Sequence, residues 1–232
     1  MRRASNFRKK YFQKFWLLFF SLFFPRGSSI PKKTRWLPNR QSLFFILLGG
    51  VFFASAYGVG FFLVGTSFFP LPSQDRLSEK LKIEKVELKK KLNLPPTQLW
   101  KQIYPVNLLA SLLLLGIGIG TAGFYSSVFL LKMGFSLGLR IGVFIAANAG
   151  VSLSFWSVVP HGIFELPAFC FLAAVGFRAG KAFLCYLNEG QGPSRQDFQE
   201  CVTLSIWGLL LISISGVVEA WCTPFFALKY LE

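Results

Sequence analysis

Pro160-His161-Gly162-Ile163-Phe164-Glu165-Leu166-Pro167-Ala168 joins two long apolar runs and holds the single histidine of the chain. An ionisable side chain at membrane depth costs about 2.5–3.5 kcal/mol on insertion scales, so His161 and Glu165 need either a function or a boundary to sit on. Pro160 and Gly162 are chain breakers, and Pro167 suits the first turn of a helix, where a carboxylate such as Glu165 meets the positive end of the helix dipole. The pattern therefore predicts an interruption over residues 160–168, between two membrane spans. On one reading this is only a helix start, with His161 capping or bridging at the surface. A sharper reading gathers His161, Glu165 and Glu219 into a polar cluster inside a helix bundle, where it binds a partner's transmembrane segment or passes a proton. A third reading is an intramembrane metalloprotease whose zinc site Glu219 and Cys222 complete. It lacks an H-E-x-x-H pattern and a second histidine, although a catalytic zinc takes three protein ligands. No metal ligand, catalytic residue or cofactor is assigned.

Working outward, residues 163–187 form an apolar run containing Gly176-x-x-x-Gly180, in which Arg178 and Lys181 are expected to stretch toward headgroups. Residues 189–200 read as a polar inner loop and 202–228 as a last span, with Glu219 ahead of Trp221 and Pro224. Upstream, 107–131 and 139–159 read as spans separated by a turn over 132–140, with Lys132 and Arg140 at its two ends. Gly116, Gly118, Gly120 and Gly123 are read as close-packing positions rather than a dinucleotide fingerprint, for want of a preceding strand. A further span, 42–69, is closed by Pro70 and Pro72. Between that span and Asn107, Leu77, Leu81, Leu88 and Leu92 recur at helical spacing among Lys and Glu, which predicts an amphipathic helix stopped by Pro95-Pro96. Lys89, Lys90 and Lys91 are its candidate partner contacts, and Trp100 leads an aromatic approach to the membrane surface.

Residues 1–40 hold Arg2, Arg3, Arg8, Lys9, Lys10, Lys14, Arg26, Lys32, Lys33, Arg35 and Arg40 and no acid, which places this end in the cytoplasm. The apolar run 15–24 is too short to span, since crossing takes about 20 residues. It reads as an interfacial helix, and Pro25-Arg26-Gly27 lacks the small-x-small pattern of a cleaved leader. The expected fold is all-α, a polytopic transmembrane bundle of about five spans with an N-terminal interfacial helix and an extracytoplasmic amphipathic helix. Its parts are 1–40 basic, 41–72 first span, 73–106 extracytoplasmic and 107–232 a four-span core. Composition agrees with a multi-pass plasma-membrane protein: 53% of residues are hydrophobic and 15% charged, against about 25% charged in soluble domains. The net charge of +15 crowds the flanks of apolar runs, which suits anionic lipid headgroups and not nucleic acid. Cys170, Cys185, Cys201 and Cys222 show no paired spacing and read as small hydrophobes.

Asn107 before a glycine-rich span, Met133-Gly134-Phe135-Ser136-Leu137-Gly138, and above all Pro160-His161-Gly162-Ile163-Phe164-Glu165-Leu166-Pro167 resemble the stage II sporulation protein M family of integral membrane proteins, over about residues 42–228. Met133 departs from the asparagine usual before the turn glycine. The resemblance implies a non-catalytic membrane scaffold, as in sporulation members that hold peptidoglycan hydrolases at the septal membrane. It equally admits a subunit of an export or self-immunity system for a circular or apolar peptide, working beside an ATPase. Cell-wall hydrolases or an ATPase subunit are the partners so implied, and a homo-oligomer is a further expectation.

Overall fold

The computed structural model describes residues 38–64, 83, 86–87, 89–146, 151–190 and 192–228. The interfacial helix expected at 15–24, the end of the first span beyond residue 64 and the amphipathic segment up to residue 82 lie outside them. The fold is all-helical: α1 (Arg40–Val64), α2 (Pro96–Gly120), α3 (Phe124–Ala146), α4 (Val151–Glu189) and α5 (Arg195–Leu228). Each of the five is long and apolar enough to cross a membrane. Their outward surfaces are apolar as well, with Phe44 60%, Leu47 69%, Phe62 69% and Phe225 77% exposed, a surface suited to acyl chains and not to water.

The bundle holds together as two close pairs, α1 with α3 and α4 with α5, joined where α1 and α3 pack on α4, while α2 packs against α4 and α5. A cluster of Leu114, Leu130, Ala168, Phe169, Leu172, Ala173 and Ile212, all buried, lies where α2, α3, α4 and α5 meet. One end of the bundle carries Asn39, the 121–123 turn and the Ser194 cap of α5. The opposite end carries Trp100, His161 and Thr223.

The expected turn at 132–140 is not there. The chain reverses at residues 121–123, where Ala122 (φ 52°) and Gly123 (φ 88°) adopt the left-handed conformation and Gly123 N–H donates to Gly118 O at 2.8 Å, a Schellman-type helix stop. The spans expected at 107–131 and 139–159 shift accordingly. Gly134 and Gly138 sit inside α3, where a Cβ would strike the carbonyl oxygens of Phe53 and Tyr57 on α1. Their small size serves close backbone approach, the use lipid-embedded helices make of glycine.

The interruption expected at 160–168 is also absent, because α4 runs unbroken through Pro160 and Pro167. Each proline removes one N–H from the helical ladder, whereas a true break in lipid would orphan about four C=O groups on its upstream side and about four N–H groups on its downstream side. Glu165 therefore sits mid-helix, not in a first turn. The loop expected at 189–200 is shorter, since Ser194 Oγ accepts from Asp197 N–H at 3.1 Å and Asp197 Oδ2 accepts from Ser194 N–H at 3.1 Å. That capping box starts α5 at Arg195.

Candidate functional site

On α4, His161 and Glu165 stand one helical turn apart on one face, with Nε2 and Oε2 3.9 Å from each other and both side chains largely buried. α5 fixes the imidazole from the other side. Thr223 Oγ1 lies 3.4 Å from His161 Nδ1 while donating to the Val218 carbonyl, and Ser215 Oγ donates to the His161 carbonyl at 3.2 Å. With its hydrogen committed to Val218, Thr223 offers His161 Nδ1 a lone pair. This arrangement turns Nε2 toward Glu165.

These two side chains line a cleft of about 290 Å³ whose other walls are Lys91, Gln102, Ile103, Val106, Asn107 and Glu219. Glu219 comes from α5, Asn107 and Gln102 from α2, and Lys91 from the helical turn that precedes α2. One imidazole, two carboxylates, one amine and two amides thus face a single space at the His161 end of the bundle. Beneath it, Leu99, Ile103 and Ala220 are buried together. Trp100 stacks on Tyr104 at 4.8 Å, and the Tyr104 hydroxyl reaches Ser213 Oγ at 3.3 Å. That seam anchors α2 to α5, with Trp100 packed into it.

The remaining sequence candidates separate. Lys89, Lys90 and Lys91 are all exposed, and of the three Lys91 alone lines the cleft. Pro160, Gly162 and Pro167 belong to the α4 segment that carries His161 and Glu165, and a Cβ at Gly162 would meet only Val158 Cγ1 at 3.8 Å. Gly134 and Gly138 belong to the α1–α3 seam, away from the cleft. Among the described residues no group of three His, Cys, Asp or Glu is arranged to hold a metal ion, and the four cysteines are free.

Sequence reading missed a second polar assembly at the opposite end. Arg178, 4% exposed, does not stretch to a headgroup. It donates to Asp197 Oδ1 at 2.8 Å and to Ser42 Oγ at 2.9 Å, and Ser42 Oγ in turn donates to buried Glu200 at 2.7 Å. Asn39 joins them by accepting Ser42 N–H at 2.8 Å as the N-cap of α1. The cap patterns Asn39-x-x-Ser42 and Ser194-x-x-Asp197 were the available signals. Together these contacts tie α1, α4 and α5.

The profile of the family described as Stage II sporulation protein M matches residues 42–224. An uncharacterized protein of Methanocaldococcus jannaschii is 31% identical over 106 residues, an overlap that covers 45% of this chain and 60% of the relative. No solved structure matches.

Proposed function

The chain belongs to the stage II sporulation protein M family, and from that premise we propose that this multi-pass membrane protein is a non-catalytic scaffold that grips another envelope protein at the His161–Glu165–Glu219 cleft. The observation behind this reading is the convergence of His161, Glu165 and Glu219 with Asn107 and Lys91 on one open space. Polar and ionisable groups so close to a lipid-facing bundle are costly to keep, and they ordinarily mark a binding or transport function. A pocket with charges of both signs and two amides suits a polar segment of a protein partner, which can answer donors and acceptors at once. On this reading the acid-free basic residues 1–40 favour a cytoplasmic amino terminus, α1 then crosses once, and the cleft at the far end of the bundle opens on the extracytoplasmic side. This is where a wall-degrading enzyme of the kind implied by the family resemblance would be held.

A photoactivatable amino acid at Val106, which lines the cleft and is 65% exposed, tests the reading in native membranes. The expected result is a discrete protein adduct with an extracytoplasmic domain, absent when the probe sits at Leu47, 69% exposed on α1. Lipid adducts alone at both positions would contradict it.

A further inference from the structure

α3 packs on α1 through Gly134, Gly138 and Gly142, so its opposite face looks away from the bundle. That face carries Phe124, Val128, Lys132, Ser136 and Arg140 at four-residue intervals, all exposed. Neither Lys132 nor Arg140 has a hydrogen-bond or ion-pair partner among the described residues. From Phe124 they stand about 12 Å and about 24 Å along a helix that rises about 1.5 Å per residue, in a span that crosses the membrane. Unpaired cations turned to acyl chains at such depths are costly, and charges within transmembrane segments ordinarily meet a partner.

A second copy of this chain is a poor match. Two-fold pairing through the stripe would set cation against cation, and Glu165 and Glu219 face a cleft to which α3 contributes nothing. We propose that the Lys132–Ser136–Arg140 stripe is a docking face for a transmembrane helix of a different protein, one that carries two carboxylates about two helical turns apart. Each carboxylate meets one cation, and Ser136 supplies a hydroxyl between them. The proposal is independent of the cleft, so the two readings fail separately.

The test reconstitutes the purified protein in phosphatidylcholine vesicles with synthetic leucine-rich transmembrane peptides of about 20 residues. One peptide carries two Glu at positions i and i+8, the other Leu at both, and association is read by fluorescence energy transfer. The Glu peptide should associate about tenfold more tightly than the Leu peptide. The double substitution Lys132→Leu/Arg140→Leu should abolish that difference, and Glu165→Gln/Glu219→Gln should keep it. Equal association of the two peptides with the unmodified protein, or a preference that survives the double substitution, overturns the proposal. So does a preference that vanishes when phosphatidylglycerol is added, which assigns the stripe to lipid headgroups. Self-association that depends on Lys132 and Arg140 overturns it too, in favour of a second copy.

Discussion

Arg178 shows how one side chain can be misjudged and then explained. A guanidinium in an apolar run reads as a stem reaching for headgroups, yet this one lies 4% exposed between Ser42 and Asp197. Its partners are 136 and 19 residues away in sequence, a distance that hydropathy along the chain does not register. Removing one member of a buried ion pair leaves the other group desolvated and unanswered. Arg178→Leu is therefore predicted to lower unfolding stability by about 3 kcal/mol, at the low end for a buried pair, because Asp197 keeps 34% of its side chain exposed. Denaturation of the detergent-solubilised protein measures this. Arg178→Lys should recover little of the loss, since a single ammonium cannot serve Asp197 and Ser42 in the fork geometry the guanidinium provides. His161, Glu165 and Glu219 could be picked out as residue types out of place, and Asn107 by the family resemblance. That Lys91, and neither Lys89 nor Lys90, completes their cleft was not legible, because the side a surface lysine faces depends on how the preceding turn docks.

Helices were legible as elements, but their ends were not. All five are apolar on nearly every face, so no polar stripe marks where one stops, and glycine and proline were the punctuation left to read. In water Pro160 and Pro167 would argue for a break; in hydrocarbon each removes a single donor, and an unbroken α4 is the cheaper outcome. Gly134 and Gly138 misled in the same way, since their role is contact with the α1 backbone and the left-handed stop falls at Ala122 and Gly123. Cysteine accessibility separates the two arrangements. In a protein stripped of Cys170, Cys185, Cys201 and Cys222, Thr121→Cys should react with a water-borne maleimide and Leu137→Cys should not. The reverse pattern would restore the turn at 132–140.

As a whole molecule, five spans place Asn39 and Arg178 at one end and His161, Glu165 and Glu219 at the other. Each end is fastened differently. The Arg178 assembly ties α1, α4 and α5 by linked hydrogen bonds from Arg178 to Asp197 and through Ser42 to Glu200, which suits rigidity. At the cleft, His161 is oriented by Thr223 and Ser215, while the carboxylates of Glu165 and Glu219 face open space. The class of fold followed from composition and run length, whereas the cleft needed three elements brought together from separate stretches of the chain. The most direct test of the scaffold reading is the yield of the protein adduct formed from the photoprobe at Val106 when Glu165→Gln and Glu219→Gln are combined, a change that keeps shape and removes charge. The account predicts a fall of about tenfold, with the variant still folded in the membrane. An unchanged yield would contradict it.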